Sequence, residues 1–493
     1  MRKQALAMVF ALIAALMADT AGAQYYQSDF PPEEFKARWN AIYDAIGDNA
    51  VALVQGGPSA RGFDFPRQTN DFYYLTGVET AHSYLFLDGR TRKSTLYLPP
   101  RNERLERSEG RILTAADADL VKKLTGADHV RSTEELRTEL VSYERGAPAA
   151  SIYAPFAPAE GYAQSRHEIQ MADANIANDY WDGRIPREQQ LVSLLRARHP
   201  RNEIRDLTPI LDEMRTIKSE REIALVRKAS VLAALGMMEA MRSTKEGVFE
   251  YQLDAAARYV FLVNGSRLDG YRSITASGTE NLQNQHYFRN TRRLRNGELV
   301  LMDYAPDVGN YVSDIGRMWP VSGRFSPVQR ELLQTVLVYR DEIISRIRPG
   351  VTTAQILEET KEPMRQYIKA QRYSKAIYRK AVEHMVETGS GAFTHMVGLA
   401  VHDVGEYQNA PLRPGIVFSV DPTLRVPEEK IYMRYEDIVV VTEDGVENFT
   451  DFMPAELDDI EAMVRGVGVV GAFPPVHELT AKAASAGIAP PGE

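Results

Sequence analysis

Cysteine is absent from all 493 residues, and its absence excludes disulfides, thiol nucleophiles and thiolate metal sites. Any metal the chain binds must sit among oxygen and imidazole donors, a set that favours manganese, zinc, cobalt or iron over copper(I) or an iron–sulfur cluster. A surplus of basic charge is also missing. The formal net charge is −9 and Lys and Arg form no run, so a surface built to bind phosphate backbones, and with it a nucleic-acid partner, is not expected. No apolar run reaches the roughly twenty residues needed to cross a bilayer. The stretch from Ala5 to Ala18 has only fourteen.

That stretch follows Arg2 and Lys3 and precedes Ala21-Gly22-Ala23. Charged, apolar and small residues in this order mark a signal peptide, here 1–23, cut before Gln24. The mature protein is then expected to be periplasmic or secreted, with no membrane partner. With 44% hydrophobic and 25% charged residues, the composition is that of a globular protein with a sizeable core. The length suggests two or three compact units, and the motif layout fits two.

From Gln24 to about Arg205 strand-like and helix-like pieces alternate. Val51 to Val54 reads as a buried strand, and Tyr84 to Leu87 pairs with Thr95 to Leu98 across a turn at Asp88-Gly89. Between Gly146 and Gly183 Ala, Pro and Asn accumulate without a period, which reads as an irregular segment or insertion. Arg187 to Arg198 looks helical. Ser219 and Glu222 make a capping box, followed by Ile223, Val226, Ala233, Ala234 and Met237 on one helical face. A second helix is expected over Tyr251 to Asn264. A third begins at Ser326-Pro327 with Gln329 completing its box. Strand-like runs at Leu299–Met302, Ile416–Val420 and Ile438–Val441 make this half mixed α and β. After Arg465 the Gly-, Ala- and Pro-rich tail is expected to pack loosely.

Several polar residues stand beside these runs. Asp303 ends Leu-Val-Leu-Met-Asp, Asp314 lies in Val-Ser-Asp-Ile-Gly, and Asp307-Val308-Gly309-Asn310 between them suggests a turn. Carboxylates on adjacent strands of such a hairpin could bridge a pair of hard cations, although Asp beside a turn is common for structural reasons alone. His395 and His402 are seven residues apart, so one could bind a metal while the other contacts substrate. Asp421 and Glu436 each sit at the edge of an apolar run, a place where carboxylates are usually solvated.

Taken together, Asp303, Asp314, His395, Asp421 and Glu436 stand in the order and contexts of the five metal ligands of pita-bread metallopeptidases. The chain resembles Xaa-Pro aminopeptidases (aminopeptidase P) and prolidases over almost its whole mature length, including Arg67-Gln68-Thr69-Asn70-Asp71-Phe72-Tyr73-Tyr74-Leu75-Thr76-Gly77. The resemblance implies an α+β protein. A creatinase-like N-terminal α/β domain at 24–205 precedes a pita-bread catalytic domain at 206–465 and a flexible tail at 466–493. It further implies two divalent metal ions, Mn2+ first, with Zn2+ or Co2+ as substitutes. Asp303 would hold one ion, Asp314 and Glu436 would bridge both, and His395 with Asp421 would complete the other site. His286 and His402 match histidines that assist substrate or proton transfer, and Arg434 would orient the carboxylates beside it. The implied reaction releases an N-terminal residue that precedes proline. Expected partners are a peptide substrate and further copies of the chain in a homo-oligomer.

Three positions depart from the family pattern: Asp421 replaces Glu, Gly391 replaces the first His of His-Gly-x-x-His, and Gly316 stands where Thr commonly follows the second Asp. They keep a second reading open, a catalytically weak pita-bread protein that binds peptides or a partner. A metal-free amidinohydrolase resembling creatinase is a third, but it gives this carboxylate set no purpose.

Overall fold

The computed structural model describes residues 25–60, 62–138, 140, 151–161 and 165–472. The expected signal peptide and the last residues of the tail lie outside them. The chain divides into two units, one of 1–161 with 185–210 and the other of 162–184 with 211–493.

In the first unit, β1 (Ala50–Gln55), β2 (Tyr84–Asp88), β3 (Lys93–Leu98), β4 (His129–Ser132), β5 (Ser151–Ala154) and β6 (Ile204–Asp206) form one sheet in the order β4-β3-β2-β1-β5-β6. The strand β1 is central, so both its faces are buried and it reads as a continuous apolar run rather than an alternating one. Its antiparallel partner β2 pairs in turn with β3, Tyr84 opposite Tyr97, in the hairpin expected from sequence. The pairs β1–β5, β3–β4 and β5–β6 are parallel. Helix α1 (Pro32–Ile46) buries Phe35, Trp39, Ile42 and Tyr43, spaced to share one face. Helix α2 (Asn70–Thr76) is buried throughout, and the Trp39 indole donates to the Leu75 carbonyl at 2.8 Å.

The segment read as irregular is more ordered than its composition suggests. It contains β5 and a helix, α3 (Arg166–Asn178), which belongs to the second unit although 24–205 was expected to form a single domain. The physical reason is at its start: Arg166 Nη1 donates to both oxygens of Asp212 at 2.7 Å, and Ser165 caps the helix by accepting from Glu168 N. Helix α4 (Arg187–Arg198) follows in the first unit.

Besides α3, the second unit holds α5 (Glu220–Ser243) and α6 (Glu250–Val263), packed against each other. Gly236 permits the approach, since a Cβ there would lie 2.5 Å from the Phe261 ring. Strands β7 (Leu268–Asp269) and β10 (Pro306–Asp307) pair, and β8 (Ile274–Ser277), β9 (Leu299–Asp303) and β11 (Gly316–Pro320) form an antiparallel sheet with β9 in the middle. Helix α7 (Pro327–Ile344) starts at the expected Ser326–Gln329 capping box. Beyond α8 (Thr353–Ala370) and α9 (Ala376–Thr388), β12 (Val417–Val420), β15 (Asp437–Val441) and β16 (Val446–Asn448) form a second sheet, and β13 (Thr423–Val426) pairs with β14 (Ile431–Arg434). Residues 466–472 are not loose as expected: Val469 N donates to Glu239 at 2.6 Å and Val470 N to Ser243 at 3.3 Å, tying this stretch to α5.

Candidate metal centre

Backbone pairing explains why residues far apart in sequence converge. Asp303 closes β9, and the chain reverses through Val308 and Tyr311, which exchange backbone hydrogen bonds; Asn310 sits between them at φ +67° and donates its N–H to Asp307 at 2.9 Å. Asp314 then arrives just before β11. Gly316 pairs with Asp303 in the β9–β11 ladder and with Glu436 in an isolated bridge. Asp303, Asp314 and Glu436 are thereby brought together, all buried, with oxygens within 4.8 Å of one another.

The two histidines meet by the same device. Met396 bridges both Phe418 of β12 and Asp403, so the chain folds back between His395 and His402. Their rings lie 4.1 Å apart, with His286 6.4 Å from His402. His395 Nε2 is 3.3 Å from Asp314 and 4.0 Å from Glu436. Asp314, His395 and His402 form a second group of ligand atoms within 4.8 Å. A cavity of about 860 Å3 is lined by Tyr271, His286, Asp303, Asp314, His402 and Arg434, a size usual for small-molecule sites.

Arg434 is the fixed positive charge of the site. Its guanidinium donates to Asp303 at 2.8 Å, to Asp421 at 2.7 Å and to Glu436. Burial opposes its ionisation, but Asp421, Glu436 and Asp303 outweigh that and raise its pKa well above the ordinary value. Tyr271 donates its hydroxyl to Asp303 at 2.5 Å and Asp314 at 2.8 Å, and Ser419 donates to Glu436 at 2.5 Å. Burial, reinforced by neighbouring carboxylates, pushes the pKa values of Asp314 and Glu436 well above normal. Burial pulls His395 and His402 down to about 4, so both imidazoles are neutral near pH 7, the form in which imidazole binds a metal.

Four carboxylates gathered in a buried place around one guanidinium can all ionise only if a further positive charge is supplied, and such a place favours an added cation. The donors are oxygen and imidazole, which fits a divalent metal. The structure brings Asp303, Asp314 and Glu436 together, with His395 beside Asp314. Asp421 lies next to Arg434 instead. Its carboxylate joins neither group of ligand atoms and accepts from Arg434, as do those of Asp303 and Glu436. Burial raises its pKa to about 6, against the lowering effect of Arg434. His402, expected to face substrate, lies within reach of the same point as Asp314 and His395. Tyr271 and Ser419 were missed, since neither lies in a pattern that distinguishes a site hydroxyl from a structural one.

Comparison with known proteins agrees with this geometry. Residues 224–443 match the model of metallopeptidase family M24, and residues 35–153 match the aminopeptidase P N-terminal domain. The Xaa-Pro aminopeptidase of Escherichia coli (strain K12) is 30% identical over 461 residues, covering 89% of this chain and 98% of the relative. The chain belongs to the aminopeptidase P family. Human Xaa-Pro aminopeptidase 3 is 27% identical over 441 residues, which span 84% of this chain and 80% of that protein. The solved structure of E. coli aminopeptidase P with the inhibitor Pro-Leu superposes with a TM-score of 0.69 at 27% identity, covering 89% of this chain and 99% of the other. Proline aminopeptidase P II from Yersinia pestis gives 0.68 at 27% identity, with 88% and 99% covered. The aminopeptidase P fold, an N-terminal domain followed by an M24 catalytic domain, is thus the fold of this chain. The protein is a metallopeptidase, of a family that binds divalent metals.

Proposed function

We propose that this aminopeptidase is an Xaa-Pro aminopeptidase, exported to the periplasm or secreted, that hydrolyses the bond between an N-terminal residue and proline with two divalent ions, Mn2+ first and Zn2+ or Co2+ as substitutes. The observation that carries the reading is the buried Asp303, Asp314 and Glu436 group with His395 beside it. The chemistry supplied by ions held there is an acidified water and stabilisation of charge on the scissile carbonyl oxygen. Around it, Arg434 keeps the carboxylates in place and Tyr271 fixes the facing oxygens of Asp303 and Asp314. His402 and His286 line the cavity as groups able to hold or pass a proton or to donate to the peptide carbonyl.

One observation favours the alternative of a peptide binder with weak turnover. Asp421 stands outside both groups of ligand atoms, which would leave one ion with fewer protein donors. A peptide panel tests the proposal. The Mn2+-loaded protein should release the first residue from Leu-Pro-Pro and Arg-Pro-Pro and leave Leu-Ala-Pro intact. Equal cleavage of Leu-Ala-Pro would remove the proline selectivity, and binding without release from any of them would favour the alternative.

A further inference from the structure

Helix α3 has no evident structural purpose of its own: none of its residues is buried. It is nevertheless fastened by the Arg166–Asp212 ion pair, whose Arg166 side chain is 11% exposed, and it lies along the cavity of the metal centre. Glu168, Ile169, Ala172 and Asp173, spaced to share one helical face, line the same cavity as His286, His402, Asp303 and Asp314. The side chain of Glu168 accepts from the Ser165 hydroxyl at 2.7 Å. Neither Glu168 nor Asp173 has a cationic Lys or Arg partner among the described residues. Asp269 faces Arg258 at 3.2 Å, the carboxylates of the centre share Arg434, and Arg272 lies over the Phe288 ring.

A carboxylate held at a cavity wall, partly withdrawn from water, facing His402 and His286 and with no Lys or Arg partner among the described residues, gains most from a ligand that brings a cation. We propose that α3 is a wall of the substrate cavity and that Glu168 is a specificity-determining residue, receiving the cationic group of the peptide's first residue, either its α-ammonium or a Lys or Arg side chain. This inference rests on the reading of the chain as an aminopeptidase, and it gives the 162–184 segment a role in choosing substrates.

The test compares the Mn2+-loaded wild type and Glu168→Gln for kcat/KM on Arg-Pro-Pro and Leu-Pro-Pro, and the chelated proteins for affinity to both peptides by calorimetry. Gln keeps the size and the Ser165 contact but removes the charge. A Met171→Ala variant, at a side chain 55% exposed, serves as the control for helix folding and should match the wild type. Glu168→Gln should lose about tenfold in kcat/KM or affinity, the size expected for one charge-assisted hydrogen bond. A loss confined to Arg-Pro-Pro assigns the cation to the side chain, and an equal loss on both peptides assigns it to the α-ammonium. Unchanged kcat/KM and affinity for both overturn the subsite while leaving the peptidase intact. Glu168-dependent binding by a wild type that cleaves neither peptide upholds the subsite and overturns the peptidase reading. A wild type that neither cleaves either peptide when loaded with Mn2+ nor binds either when chelated overturns both.

Discussion

Asp314 belongs to both groups of converging ligand atoms, whereas His402 belongs to one. Removing the shared carboxylate should therefore damage the centre more. Asp314→Ala is expected to weaken metal binding by at least about 100-fold, beyond the 10–100-fold typical of losing a supporting partner, and His402→Ala to weaken it less; elemental analysis of dialysed proteins separates the two. Full metal content in Asp314→Ala would contradict the shared role. The departures from the family pattern also meet at this scale. Asp421 N donates to the Gly391 carbonyl at 2.9 Å, and Gly391 stands at φ +70° with its missing Cβ only 1.9 Å from the Asp421 carbonyl oxygen. A side chain at 391 must displace the Asp421 backbone. Gly391→Ala is expected to cost about 1–3 kcal/mol in chemical unfolding and to weaken metal binding in the same protein. Wild-type stability and affinity would show that the backbone yields freely. Sequence order and context singled out Asp303, Asp314, His395 and Glu436 because their neighbours repeat a family pattern. Arg434 was expected to orient the carboxylates beside it, but that its reach extends to Asp421 was not legible, because this depends on where a side chain 13 residues away ends.

At the scale of elements, the legible features were those with a local cause. The capping boxes of α5 and α7 satisfy backbone donors within a single turn, and the β2–β3 hairpin follows from two apolar runs around a turn. Helix α3 was illegible for the opposite reason: with no buried residue it carries no apolar stripe, and a distant aspartate fixes it in place. The His402–Asp403 segment is fixed likewise by charge. Asp403 is buried against Arg215 and Lys218, the latter at 3.1 Å. Burial works against its ionisation, but the two cations prevail and hold its pKa below the usual carboxylate value. Because the folded pKa is the depressed one, this stabilisation is present above the unfolded carboxylate value of about 4 and is lost as pH falls through the folded pKa. Asp403→Asn should lower stability at pH 7 by about 3–5 kcal/mol and flatten the acid side of the stability–pH curve. Urea unfolding at pH 7 and pH 3 measures both, and an unchanged pH dependence would deny Asp403 its part in acid unfolding.

For the whole molecule, what matters is that a buried carboxylate group, uncompensated by its one arginine, becomes a working centre only with divalent cations. The absence of cysteine already restricted the donors to oxygen and imidazole, and the fold gathers such donors from the end of β9, the segments just before β11 and just after β14, and the turn that holds His395 and His402. The most direct measurement is turnover of Leu-Pro-Pro by protein stripped of metal by chelation, shown metal-free by elemental analysis, and then titrated with Mn2+. Activity should be absent from the stripped protein and return in proportion to bound metal, saturating near two ions per chain. Undiminished turnover by the metal-free protein would contradict it.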